Sequence, residues 1–219
     1  MLEINQYINN DFKPFDIGES IAYIQIFFSD LTFSHFPIIQ DNIYIGCIAA
    51  DDVVTFDKNK TPGDYKYTLE GFFVRKNMVW LDVLEVFAKN HSNMVPVLDE
   101  NNLYCGYYEL NDIIQFFHET PFMKEDGNIL TIEKSVNDYA MSQISQIVES
   151  NNGKILGMFI SEISTDIIRI TIKIMPGNMN EIIQTFRRYD YNIISEHHED
   201  SYLNNLKERS EYLHKFLNI

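Results

Sequence analysis

From residue 20 onward the chain alternates between helix-period and strand-period stretches. Ile21, Ile24, Phe27, Phe28 and Leu31 make one apolar stripe behind an N-cap candidate, Ser20, and predict a helix over residues 21–33. The apolar run Phe36-Pro37-Ile38-Ile39, the turn residues Gln40-Asp41-Asn42 and a second run over residues 43–49 predict a hairpin. Asp51 and Asp52 stand where a further helix opens, and a polar loop containing Pro62-Gly63 follows. The plan then recurs. A strand over 67–74 leads to a helix over 80–88, with Leu81, Leu84, Phe87 and Ala88 near one face. Strands over 95–98 and 103–108 flank a tight turn, and a closing helix over 111–117 carries Asp112 in its first turn. Thr120-Pro121 ends that helix, because the residue before proline is driven out of the helical region. Residues 1–12 read as a short helix or an extended arm.

The recurrence is a repeat in sequence as well as in pattern. Pro37-Ile38-Ile39 is followed by Gly46 and, six residues later, by Asp52. Pro96-Val97-Leu98-Asp99 is followed by Gly106 and, again six residues later, by Asp112. A period of about 60 residues implies a duplicated α/β unit.

Past Asp126-Gly127 the pattern changes. A strand over 129–136 precedes a helix over 139–149 with Tyr139, Met141, Ile144, Ile147 and Val148 on its apolar side. Asn151-Asn152-Gly153 stops it, strands over 154–163 and 167–175 follow, and a helix over 179–188 leads to a strand over 191–196. That β-α-β-β-α-β series is the ferredoxin-like split motif. Residues 201–217 read as an amphipathic helix. The expected division is a repeated unit over 1–122 and a second domain over 128–219.

Charge narrows the partners. The 219 residues carry a formal net charge of −15, which disfavours nucleic acid and anionic membranes, since both need clustered Lys and Arg. Cys47 and Cys105 have no CxxC spacing and read as two buried thiols. The polar start MLEINQYINNDF is not a signal peptide, and the apolar runs fall short of a bilayer span, so a cytoplasmic protein is expected.

The repeated half resembles a tandem pair of cystathionine-β-synthase (CBS) domains. The likeness rests on Phe36-Pro37-Ile38-Ile39 with Gly46-Cys47-Ile48-Ala49-Ala50-Asp51-Asp52, and on Val95-Pro96-Val97-Leu98-Asp99 with Gly106-Tyr107-Tyr108-Glu109-Leu110-Asn111-Asp112. It implies two sheets packed into one module, with adenine nucleotides or other adenosyl compounds in the clefts. It also implies ribose ligands at Asp52 and Asp112 and a phosphate-holding Thr or Ser three residues before each. The chain departs from the pattern there, with Ala49 in the first copy and Glu109 in the second. Alanine removes the hydroxyl, and glutamate sets an anion where a phosphate would lie. Read from the residues alone, Asp52 and Asp112 are helix caps. The C-terminal series is similar to an ACT domain, which makes the turn with Asn137 and Asp138 a place for a ligand amine. Without the resemblance, Asp138 is a helix cap. A CBS pair followed by an ACT-like domain is the arrangement of acetoin-utilisation AcuB-type proteins.

No HExxH, GxSxG or phosphate-cradling GxxxxGK[ST] occurs, and neighbouring His197 and His198 in a strand point to opposite faces, so no metal site is expected. The fold class expected is α/β (α+β), a CBS pair followed by a ferredoxin-like ACT-like domain. The expected function is non-enzymatic sensing of a small metabolite by a homodimer, or ligand-free scaffolding by the same folds.

Overall fold

Each repeat is built around one hairpin. The computed structural model describes residues 4–195 together with Lys207, Ser210 and Tyr212. The first repeat runs β1 (Phe15–Asp16), α1 (Ile21–Asp30), β2 (His35–Gln40), β3 (Ile43–Ala49) and α2 (Ala50–Val53). The second runs β4 (Val74–Arg75), α3 (Trp80–Lys89), β5 (Met94–Leu98), β6 (Tyr104–Glu109) and α4 (Leu110–His118). Each folds a three-stranded sheet in the same order, β1-β2-β3 and β4-β5-β6. In both, the short first strand is parallel to the second, and the hairpin ladder shifts register at the same place, between Ile38 and Ile39 and between Val97 and Leu98. Residues 41–53 and 101–113 also share one order of exposed, half-buried and buried positions.

The repeated glycines have a common cause. Gly46 and Gly106 sit at φ 151° and 138°, a region that side chains avoid, and a second backbone crosses each of them. Cys47 and Glu70 exchange N–H···O bonds of 2.8 and 2.9 Å. Tyr107 and Asn9 do the same at 2.8 and 3.0 Å. A Cβ on Gly46 would lie 2.9 Å from Leu69 Cβ, and one on Gly106 only 2.6 Å from the Asn9 carbonyl oxygen. The segment entering each repeat from upstream is thus strapped across a hairpin, the N-terminal arm across the second and the inter-repeat segment across the first. The two repeats share one core, in which Tyr107 meets Phe33 and Phe36 at ring separations of 5.6 and 5.7 Å.

Several elements differ from expectation. No strand fills residues 67–74. Thr61 N–H donates to Asp64 Oδ2 at 2.9 Å, and with Pro62 it opens a 3-10 helix, Pro62–Thr68. Only Val74 and Arg75 reach the sheet, although Phe72 is still buried. Helix α1 stops at Asp30, because Leu31 is already extended. In α3 the buried positions are Val83 and Phe87, and Leu81 is 56% exposed. Cys47 is buried as expected, whereas Cys105 is only half-buried.

The chain divides into two compact units, Met1–Phe117 and His118–Ile219. The second begins with α5 (Pro121–Lys124) and continues β7 (Asn128–Ser135), α6 (Met141–Ser150), β8 (Ile155–Ile163), β9 (Ile167–Ile174), α7 (Met179–Arg188) and β10 (Asn192–Ile193). The sheet order β10-β7-β9-β8, antiparallel throughout, is that of a split β-α-β fold. Alternate residues of β7 and β9 (Leu130, Ile132, Ile168, Ile170, Ile172 and Ile174) are buried in a core with Ile144, Val148, Ile183 and Phe186 of the helices. Helix α6 starts at Met141 rather than Tyr139, since Ala140 is extended and is the N-cap residue. Among the described residues of the last expected strand, Asn192 and Ile193 pair with β7. Lys207, Ser210 and Tyr212 are helical, and the rest of the helix expected over 201–217 lies outside the described residues, as do His197 and His198. The fold class is mixed α/β.

Candidate functional site

At the C-terminal end of β3 the first repeat opens a cavity of about 500 Å³. Its walls include Ala49 and Asp52, His35 from the start of β2, Glu70 from the crossing segment, and Lys89 from the end of α3. Small side chains at Ala49 and Ala50 leave the space, and the strap at Gly46 fixes Glu70 beside it through the Cys47 pairing. His35 is 8% exposed. Its Nε2 lies 3.3 Å from Glu70 Oε1, and its Nδ1 lies 2.9 Å from Ser34 Oγ. Asp51, Asp52 and Glu70 outnumber Lys89, which already pairs with Glu85 at 2.6 Å. The cavity therefore presents polar edges and a negative balance.

In the second repeat the N-terminal strap brings a side chain to the corresponding place, as the inter-repeat segment brings Glu70 in the first. Asn9, carried in by the N-terminal strap, donates from Nδ2 to Glu109 Oε1 at 3.2 Å. Partial burial, then the nearby Asp112 charge, raises the Glu109 carboxyl above its ordinary range, and the Asn9 bond offsets this in part. Burial raises Asp112 as well. Ala49 and Asp52 thus meet around a cavity, while Glu109 and Asp112 meet as two crowded carboxyls. Neither aspartate is an N-cap residue of the kind expected, for Asp52 lies within the first turn of α2 behind Ala49, and Asp112 lies within α4.

Asn137 and Asp138 belong to the second unit, in an exposed turn between β7 and α6. Their backbone amides close the turn, Asn137 N–H onto Ser135 Oγ at 3.3 Å and Asp138 N–H onto the Ser135 carbonyl at 3.1 Å. The helix makes no side-chain cap bond, so Asp138 is not its cap. His35, Glu70 and Ser34 did not stand out in sequence. The hydrogen-bonding partners His35 and Glu70 are 35 residues apart, and the strap between Cys47 and Glu70 brings them together.

Burial pushes the Cys47 thiol up to about 12, so that it is not a nucleophile. Among the described residues no group of three His, Cys, Asp or Glu side chains is placed to hold a metal ion. No helix among them is long and apolar enough to cross a membrane.

No protein-family model matches the chain, and no curated protein matches it. Solved structures do. A CBS domain pair/ACT domain protein from Thermotoga maritima is 17% identical, with a TM-score of 0.49, over 54% of this chain and 98% of its own. The CBS domains of a transcriptional regulator from Streptococcus pneumoniae are 15% identical, with a TM-score of 0.47, over 52% of this chain and 98% of their own. The CBS domain of a bacterial CNNM/CorC family Mg2+ transporter in complex with ATP is 15% identical, with a TM-score of 0.42, over 52% of this chain and 84% of its own.

Proposed function

We propose that the chain is a non-enzymatic regulatory protein of the tandem-CBS type, whose first cleft takes an adenosyl-type metabolite. The observation that carries this reading is the cavity beside Ala49 and Asp52, set between two hairpin units that share a core. Its negative balance favours a neutral or cationic adenosyl compound over a nucleotide, because a phosphate would meet Asp51, Asp52 and Glu70 with one already paired lysine to offset them. Asp52 is the candidate ribose ligand. Glu109 and Asp112 line a second cleft that Asn9 keeps closed.

The second unit serves as an ACT-like pairing domain in a cytoplasmic homodimer. Its support is the edge strand β8, which carries exposed Phe159, Ile160 and Ile163. The turn at Asn137 and Asp138 is solvated and is a weaker place for an amine than the first cleft.

A thermal-shift panel of adenosine, S-adenosylmethionine and AMP tests the reading, since a ligand that binds only the folded chain raises Tm. Adenosine or S-adenosylmethionine should raise Tm more than AMP, and Asp52→Ala should abolish the rise. A flat response to the whole panel favours a ligand-free scaffold instead.

A further inference from the structure

Ser34 and Asn93 hold equivalent places, one residue before β2 and one before β5, and they bond to each other. Ser34 N–H donates to Asn93 Oδ1 at 2.9 Å, and Asn93 N–H donates to Ser34 Oγ at 3.0 Å. Asn93 Nδ2 donates in turn to the Thr32 carbonyl at 2.6 Å. Their own carbonyls root the two helices at the clefts. Ser34 O accepts from Ala50 N–H at 2.8 Å, and Asn93 O accepts from Leu110 N–H at 2.9 Å. This clasp lies between the cavity of the first repeat and the helix that carries Asp112.

The Ser34 hydroxyl has one proton and three acceptors within reach: His35 Nδ1 at 2.9 Å, Asn93 Oδ1 at 3.1 Å and Ser92 Oγ at 3.4 Å. A neutral imidazole offers one donor and one acceptor nitrogen, and an ionised carboxylate only accepts. With Glu70 beside Nε2, the ring proton belongs on Nε2, Nδ1 accepts, and the hydroxyl turns to His35. A ligand N–H directed at Nε2 reverses the pattern. The ring then gives up its Nε2 proton to cavity water and receives one from water at Nδ1, a change of tautomer with no net change of charge. Nδ1–H now donates to Ser34, and the hydroxyl proton turns to Asn93.

We propose that the Ser34 hydroxyl is a relay that passes the hydrogen-bonding state of His35 to Asn93, and so to helix α4. The ligand that works it presents an amino, ammonium or amide N–H to His35 Nε2. This takes the first cleft as the place of ligand entry, as proposed above, but the relay can be driven without a ligand.

Glu70→Lys in the full chain sets an ammonium, which only donates, beside Nε2 and serves as the drive. Ring 15N resonances report the His35 tautomer, and amide hydrogen exchange reports Ser34 and Leu110. The expected result is a proton at Nδ1, with exchange at Ser34 and Leu110 slowed about fivefold, the factor for one ordinary hydrogen bond. Adding Ser34→Ala should leave the tautomer shift and remove the change at Leu110. Asn93→Asp, whose carboxylate holds the hydroxyl proton throughout, should fix Leu110 in the slow state whatever stands at position 70. A His35 that keeps its Nε2 proton in Glu70→Lys, or a Leu110 response that persists without the Ser34 hydroxyl, overturns the relay. None of these outcomes depends on whether an adenosyl compound binds.

Discussion

The two clefts share a backbone and differ in their side chains. Both lie at the end of a hairpin whose glycine is crossed by another segment of the chain, and both are followed by a helix with an aspartate in the same place. In the first, position 49 is alanine, the crossing segment supplies Glu70, and β2 begins with His35, so a polar cavity remains. In the second, position 109 is glutamate, the crossing segment supplies Asn9, and β5 begins with the fully buried Met94. Duplication therefore sets where a site lies, and the residues at these positions set its charge and its hydrogen-bonding partners.

The largest effect expected is on the straps. Gly106→Ala would drive its Cβ against the Asn9 carbonyl and the Ile8 side chain, and should cost about 3 kcal/mol or more in urea denaturation. Gly46→Ala meets looser neighbours and should cost about 1–3 kcal/mol. Equal costs would mean that the two crossings are held alike. The double change Asn9→Ala with Glu109→Ala makes the second cleft resemble the first. Bound adenosine should then rise from one to two per chain in equilibrium dialysis.

The cysteines sharpen the contrast at equivalent strands. In the native protein a thiol reagent should label half-buried Cys105 first, and should reach Cys47 only on unfolding. The smallest effect concerns pH. A carboxyl raised on folding makes ionisation more costly in the folded than in the unfolded chain, so Glu109 and Asp112 should lower stability as pH rises through and just above the ordinary carboxylate range. The loss is absent below that range. Glu109→Gln should flatten this part of a Tm-against-pH curve.

The hairpins were legible because their signals are local. Asp41 and Asn42 take positive φ in a two-residue turn, Asn102 does so in the other loop, and the glycines fall where side chains cannot. The apolar run over 67–74 misled because Leu69 and Phe72 pack into the core without joining a ladder, while the Thr61–Asp64 pairing upstream winds the chain into a 3-10 helix. Leu81 fits the helical period and still faces outward, since the period alone does not say which side of α3 meets the sheet. Ala49, Asp52, Glu109 and Asp112 were legible by their spacing. What separates their two clefts was not. Asn9 reaches Glu109 across 100 residues, a meeting set by the strap over Gly106.

The most direct test is the stoichiometry and location of adenosine or S-adenosylmethionine binding by isothermal titration of the wild-type chain, Asp52→Ala and Asp112→Ala. One equivalent per chain, lost in Asp52→Ala and retained in Asp112→Ala, is the predicted result. Two equivalents, or a single one that Asp112→Ala removes and Asp52→Ala does not, would contradict an open first cleft beside a closed second one.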